Sequence, residues 1–474
     1  MTGQVGEMSG APERIETIVI GGGQSGLAVG YYLTTQGRPF VILDANDRIG
    51  DTWRKRWDSL RVFTPARLDG LPGMPFPAPA SSFPTKDDVA DYLVAYAARF
   101  DLPVRTGVRV DGLSRVGDRF VVTSGDGWFE ADNVVVAPGA YHNPRVPVFA
   151  PELDPAIVQM HSSQYRTPSQ LREGGVLVVG AGNSGAEIAL EASRGHRTWL
   201  SGRDTGHEPV RPGSGPDRLV TPLMWFMAKH VLTVRTPVGW KVQRMFRSRG
   251  IPLARVRRND LTAAGVQLVP RTTGVLDGSP VLDDGRVLDL ANVIWCTGFA
   301  PDLTWINLPI FNEDGDPVHD RGVVESEPGL YFIGMYFLYA LSSVLIGGSG
   351  GTPSMSPGTL RRADRQADRR YERRQARESF GAGSPRCSAG ASEPDQIAQL
   401  FWTSPRRGDP TSGPVAPAGV VVVVRRGDRG QFSRSHAAMR SASMIVGRLV
   451  LAAGIVGMIE ASATSSRSVP YTWP

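Results

Sequence analysis

The sequence predicts an α/β protein made of two Rossmann-like domains, the second inserted into the first. Three observations carry the prediction. A short apolar run rich in β-branched residues, Thr17-Ile18-Val19-Ile20, passes straight into a glycine-rich turn and a helix-like segment. The same succession returns much further along the chain, at Val176-Leu177-Val178-Val179. Two further apolar runs that end in small residues, at 132–140 and 292–299, bracket the second copy where the chain would cross between the domains.

The first turn is Gly21-Gly22-Gly23-Gln24-Ser25-Gly26, followed by Leu27 to Leu33. A continuous apolar run of this length reads as a parallel strand buried on both faces. In the G-x-G-x-x-G spacing, Gly21 allows the tight turn, Gly23 lets the backbone approach a pyrophosphate, and Gly26 lets the helix pack close to the strand. The helix start around Gln24 and Ser25 then presents unpaired N–H groups and a positive dipole end to phosphates. Phe40 to Leu43 forms the next strand, and Asp44 ends it. A carboxylate there can accept hydrogen bonds from a ribose diol.

The second turn is Gly180-Ala181-Gly182-Asn183-Ser184-Gly185, leading into Ala186 to Glu191. Its following strand, Thr198 to Ser201, ends in Gly202-Arg203 instead of an acid. Arg203 holds the place relative to Gly185 that Asp44 holds relative to Gly26. A guanidinium suits a 2′-phosphate, which a carboxylate would repel. The pair of turns therefore predicts FAD at the first site and NADPH at the second. The alternative for Arg203 is a solvated loop residue beside Asp204.

The domain layout follows from these positions. Residues 1–14 form a flexible N-terminus, 15–171 the first part of the FAD domain, 172–295 the NADPH domain, and 296–350 the second part of the FAD domain. Gly329 to Gly334 reads as the last flavin-domain strand. An apolar and aromatic insertion at about 205–250, including Leu219 to Val234, suits either a lid or ordinary helical core.

Composition excludes several other chemistries. Only Cys296 and Cys387 occur, with no Cys-x-x-Cys, which argues against dithiol exchange. The seven His show no metal-ligand spacing, and Ser184 lacks the glycine pattern of a nucleophile elbow. Met1 to Glu16 has no apolar core of a signal peptide, and Met444 to Ile459 is too short for a membrane span and contains Arg448. The expected location is the cytoplasm. The net charge of +6 is uneven: residues 351–474 hold 18 Arg, no Lys and 9 acids, whereas the first 350 hold 34 bases and 37 acids. A nucleic-acid partner would rest on the tail alone, and none is expected.

With these motifs in place, residues 15–350 resemble the flavin-containing monooxygenases, particularly their bacterial and plant YUCCA-like members. The resemblance rests on the paired turns, Gly50-Asp51-Thr52-Trp53, Cys296-Thr297-Gly298-Phe299, and His161 with an aromatic four positions on at Tyr165. It implies that Thr52, Trp53, Gly139, Thr297 and Gly298 join the cofactor-binding set. It also implies that NADPH reduces FAD, that O₂ adds at the flavin C4a, and that the hydroperoxide oxygenates a small nucleophilic substrate. The cofactor carries that chemistry, so no catalytic side chain is singled out. Three positions depart from the family: Pro155 and Ile157 replace its Phe and Gly, Ala137-Pro138-Gly139 replaces its Ala-Thr-Gly, and Phe63 stands where many members carry Asn. Phe63 cannot donate a hydrogen bond, which favours an alternative, an NADPH-flavin reductase or oxidase that releases H₂O₂. A third possibility is a flavoprotein left inactive or unstable by its tail.

That tail, residues 351–474, is dominated by Arg, Gly, Pro, Ser and Ala and is expected to be the product of a reading-frame shift. One codon set for Gly351 to Leu360, read from one nucleotide before the Thr352 codon, gives Asp-Ala-Glu-Tyr-Val-Ala-Gly-His-Ile. That string is an amphipathic helix start with an acid at its N-terminal end. A native disordered tail is the alternative. The shift would remove a closing helix and bare an apolar flank near Leu341 to Ile346.

Overall fold

A computed structural model describes residues 11–349, apart from 126, 140, 142, 209, 211–213 and 216. Every expectation about residues 351–474, and the Met444 to Ile459 run, lies outside the described residues.

The first sheet is built from β1 (Glu13–Ile20), β2 (Phe40–Leu43), β3 (Val104–Arg105), β4 (Gly112–Val116), β5 (Arg119–Ser124) and β6 (Gly127–Val136), in the order β3-β2-β1-β6-β5-β4. β1 pairs in parallel with both β2 and β6, while β4, β5 and β6 form an antiparallel meander. Thr17 to Ile20 are buried on both faces, as their unbroken apolar run demands. β1 starts ahead of that run. Its polar half, Glu13 to Ile15, pairs with Phe129 to Ala131, and Glu13 forms an ion pair with Arg105. Pairing, not burial, extends the strand there.

Helix α1 (Gln24–Thr35) packs its Leu27, Ala28, Val29 and Leu33 into the core beside Ile42 and Val135. Each such buried Leu or Val side chain contributes roughly 1.5–3 kcal/mol. After the short α2 (Asp51–Arg54), α3 (Lys86–Arg99) lays Val89, Tyr92, Leu93 and Tyr96 on the same core. Its N-terminus is closed by a capping box between Thr85 and Asp88, which sets where the helix begins.

The chain then pairs β7 (Asn143–Pro144) with a later strand and enters a second sheet. That sheet holds β8 (Val158–His161), β9 (Val176–Val179), β10 (Thr198–Ser201), β11 (Gln267–Val269) and β14 (Asn292–Trp295) in the order β11-β10-β9-β14-β8, all parallel. Between its strands lie α4 (Asn183–Ala192), α5 (Asp217–His230), α6 (Pro237–Arg249), α7 (Arg258–Ala263) and a hairpin of β12 (Thr272–Leu276) and β13 (Ser279–Leu282). The chain returns through β15 (Phe299–Ala300), which pairs antiparallel with β7, and closes on β16 (Leu330–Phe332), parallel to β6 of the first sheet. The strands of the second sheet thus all fall between β6 and β16 in sequence.

Two expectations need correction. The second sheet begins at Val158, not at 172, because β8 pairs with β14 through Val158–Asn292 to His161–Trp295. Its polar Gln159 and half-buried edge position give it no continuous apolar run to read. The flank from Leu341 to Ile346 is also not bare among the described residues. Leu341 packs with Leu232, Val242 and Phe337, and Ile346 is 3 % exposed in the first core. The insertion is what covers it: Val234 donates to the Tyr339 carbonyl at 2.9 Å and Leu341 to the Leu232 carbonyl at 3.0 Å. The outer faces of α5 and α6 leave Leu223, Phe226 and Trp240 exposed. No helix among the described residues is long and apolar enough to cross a membrane.

Candidate functional site

The first glycine turn links β1 to α1. Gly21 has φ +108°, a region that side chains avoid, and a Cβ there would sit 2.3 Å from the Ala137 carbonyl oxygen. A Cβ on Gly26 would lie 1.9 Å from the Gly21 oxygen, so helix and turn touch backbone to backbone. Gly23 differs: a Cβ there would meet nothing within 4 Å. That open side is the one a pyrophosphate would approach. Gly23 is also the N-cap of α1 and has no side-chain capping bond, so the first-turn N–H groups stay available for an anion.

Asp44 closes this site from the end of β2. One carboxylate oxygen accepts from the Gly22 N–H, and the other from the backbone and side-chain nitrogens of Asn46 at 2.7 and 3.0 Å. Three of about four acceptor positions are thereby used within the chain. The residue expected to hold a ribose also fastens the glycine turn, leaving room for one ligand hydroxyl. Gly22 was the unread partner: a Cβ there would lie 2.8 Å from the Asp44 carboxylate. The extra glycine between Gly21 and Gly23 was the available signal.

The neighbouring expected residues gather here. Trp53 Nε1 donates to Gln24 Oε1 at 3.3 Å, joining α2 to the start of α1. Thr52 Oγ1 accepts a long bond from Asn46 Nδ2 at 3.4 Å. Ser25, 8 % exposed, lies so near the end of β16 that a Cβ on Gly334 would come within 2.4 Å of its hydroxyl. Gly139, at φ +70°, follows the Ala137 carbonyl that roofs Gly21.

The second turn repeats this geometry between β9 and α4. Gly180 has φ +111°, with a virtual Cβ 2.2 Å from the Cys296 oxygen; Gly185 would place one 1.8 Å from the Gly180 oxygen; Gly182 meets nothing. Ser184 is half-buried in the first turn of α4. Asn183 does more than line the turn. Its Nδ2 donates to the Pro252 carbonyl at 3.1 Å and its Oδ1 accepts from Ala254 N at 2.9 Å, pinning the segment before α7.

A cavity of about 340 Å³ opens beyond this turn, lined by Ala181, Gly202, Thr205, Arg258, Leu261 and Leu268 among others. Arg203 is exposed beside it and is not part of the lining. Arg258 is, and its guanidinium pairs with Asp204 at 3.2 Å. Sequence reading missed Arg258 because it lies far from Arg203 along the chain, brought near only by the fold of α7.

Thr297 and Gly298 lie in the link between β14 and β15. The Thr297 hydroxyl donates to the Arg145 carbonyl, while Gly298 O accepts from Arg145 N and from His161 Nε2, both at 3.0 Å. The Ser163 N–H donates to His161 Nδ1 at 3.1 Å, so Nε2 carries the proton, and burial holds the imidazole below its usual pKa. His161 is therefore a neutral brace. Tyr165, fully buried, donates its hydroxyl to Glu191 of α4 at 2.9 Å. Among the described residues no group of three His, Cys, Asp or Glu could hold a metal. Cys296 is unpaired, and burial raises its thiol pKa far above the usual value.

Comparison with known proteins agrees with this geometry. A family model described as pyridine nucleotide-disulphide oxidoreductase matches residues 18–224. An uncharacterized CzcO-like oxidoreductase of Geobacillus kaustophilus is 38 % identical over 338 residues, covering 71 % of this chain and 95 % of the relative. Rice indole-3-pyruvate monooxygenase YUCCA1 is 37 % identical over 207 residues, 42 % of this chain and 51 % of that protein. The solved flavin-containing monooxygenase of Stenotrophomonas maltophilia has 28 % identity and a TM-score of 0.59, covering 75 % of this chain and 99 % of its own. The doubled glycine turn and these relatives lead to one conclusion: the chain belongs to the flavin-containing monooxygenase family and is an oxidoreductase that uses FAD and NADPH.

Proposed function

We propose that the enzyme consumes NADPH and O₂ to oxygenate a small nucleophilic organic molecule. FAD is held on the Gly21 to Gly26 turn and NADPH on the Gly180 to Gly185 turn. The observation that carries the reading is the duplicated cradle: each turn has a left-handed first glycine beneath a crossing carbonyl, a bare middle glycine and an uncapped helix start. Bound flavin supplies the redox and oxygen chemistry. The chain supplies the rest: Asp44 and Trp53 orient one dinucleotide, while Arg203 and Arg258 favour a 2′-phosphate on the other. The layout expected from the sequence supports this, with a nicotinamide-nucleotide domain set into a flavin domain. Small substrates and O₂ are the partners this reading requires.

A second reading, an NADPH oxidase-like outcome releasing H₂O₂, is favoured by Phe63, a half-buried ring where many relatives carry a hydrogen-bonding amide. The two separate on one ratio. The purified yellow protein is mixed with NADPH in air, with a panel of amines, sulfides and ketones, and H₂O₂ is counted against NADPH oxidised. A ratio well below one with some substrate supports oxygenation. A ratio near one with all of them supports the second reading, and failure of NADPH to bleach the flavin under argon defeats both.

A further inference from the structure

Arg56, just beyond α2, sets its guanidinium against two aromatic rings. Its Cζ lies 4.9 Å from the Tyr141 ring centroid and 5.2 Å from that of Phe299. Those rings meet edge to face at 5.4 Å, and Phe299 rests in turn on His161 at 4.8 Å. One ring comes from each crossing, so the guanidinium is gripped where the two dinucleotide folds join.

Among the described residues nothing answers its charge: no carboxylate lies within ion-pair distance of Arg56, and its guanidinium donates no hydrogen bond. A second cation, Arg166, also acts on it, and Arg166 Nη1 is already committed to the Ser163 and Tyr165 carbonyls. His161 beside it is neutral. Arginine keeps its proton even where burial lowers its pKa, so a desolvated cation with five unspent donors remains. Ring contacts offset part of that cost without using the donors.

Tyr141, whose ring flanks the Arg56 guanidinium, keeps 48 % of its surface open. We propose that Arg56 receives an oxyanion of a bound ligand at this junction, either a phosphate of NADPH or a carboxylate of the substrate. The planar fork of the guanidinium suits both, and the flanking rings leave its edge free to meet them. The inference rests on the two-dinucleotide reading of the site but not on the oxygenase outcome.

The test uses the FAD-loaded full chain. NADP⁺, inorganic pyrophosphate and benzoate are each titrated calorimetrically against wild type, Arg56→Ala and Arg56→Lys. Losing a charge-assisted contact should weaken at least one probe by about tenfold to a hundredfold in Arg56→Ala, with partial recovery in Arg56→Lys. Weakening confined to NADP⁺ and pyrophosphate assigns the oxyanion to the cofactor; weakening confined to benzoate assigns it to the substrate. A measurement on the wild-type protein guards against misfolded variants: the same anions should shield Arg56 from phenylglyoxal, read by peptide mass. If none of the three probes shields Arg56, or all bind Arg56→Ala as they bind wild type, the inference is wrong. NADPH bleaching of the flavin, recorded in parallel, shows whether the dinucleotide reading survives that result.

Discussion

At the scale of single residues, Gly23 offers the cleanest separation of ligand from fold. Its φ is −77° and a Cβ would touch no protein atom, so Gly23→Val should leave the folded chain intact. The same side chain would stand where a pyrophosphate must approach. Circular dichroism should be unchanged while flavin content falls by about tenfold or more, the loss of at least about 1.4 kcal/mol of binding. A yellow variant with full flavin occupancy would refute the assignment of this turn.

Asp69 carries a different residue-scale consequence. It is 1 % exposed, its Oδ1 accepts from the Thr64 hydroxyl at 2.5 Å, and its Oδ2 is buried without a partner. Burial pushes its carboxyl up from 3.8 to about 7. Below pH 3.8 folded and unfolded chains both hold the proton. Between about 4 and 7 only the unfolded chain releases it, so this group's contribution to stability falls as pH rises and is fully lost above 7. The loss is on the order of 4 kcal/mol. Melting temperatures of the wild type should therefore drop more between pH 5 and 8 than those of Asp69→Asn. Equal drops would mean that Asp69 does not titrate in this range.

At the scale of elements, the proposed preference for NADPH rests on two arginines, Arg203 just after β10 and Arg258 at the start of α7. Arg203→Ala should weaken NADPH by about tenfold to a hundredfold and leave NADH nearly unchanged, as the removal of one charge-assisted contact costs about 1.5–3 kcal/mol. Arg258→Ala should act in the same direction but less, because its guanidinium is exposed and already shared with Asp204. Comparing kcat/KM for the two cofactors checks both; equal losses with NADH would make these arginines structural.

Elements also explain what could be read in advance. β1, α1, β2, β9, α4 and β10 were legible because buried parallel strands and glycine turns leave local marks. The apolar end of β6 was also readable, at 132–136, but β4 and β5 were not, since alternation in strands such as Arg119–Ser124 is blurred by Arg119 reaching Glu130 and by the antiparallel edge. β8 was invisible for a related reason: its membership depends on β14, a strand far along the chain. Within the site, positions on the turns were legible, while Arg258, Arg56 and the bridging role of Asn183 arise from contacts between segments distant in sequence.

For the whole molecule, the proposed frame shift has a definite place to act. The chain is tightly threaded to its last described residues: a Cβ on Gly347 would lie 1.8 Å from the Leu68 oxygen, and one on Gly348 1.9 Å from the Ser342 oxygen. The Geobacillus relative, covered to 95 % of its length, aligns with only 71 % of this chain. Resequencing the gene should reveal a one-nucleotide shift near codon 350, and the frame-restored protein should keep more flavin through gel filtration. An intact frame, together with lower activity once residues 351–474 are deleted, would show the tail to be a working part.

Gly21 and Gly180, Gly26 and Gly185, Asp44 and Arg203, and Ala137 and Cys296 are all separated by one and the same interval of sequence. The chain is thus one plan written twice in register, and each copy serves as the internal control of the other. Gly26→Ala and Gly185→Ala would force a methyl against the same backbone oxygen at nearly the same distance. Their shared effects would report the cost to the plan, and whatever differs between them would report the ligand each copy serves.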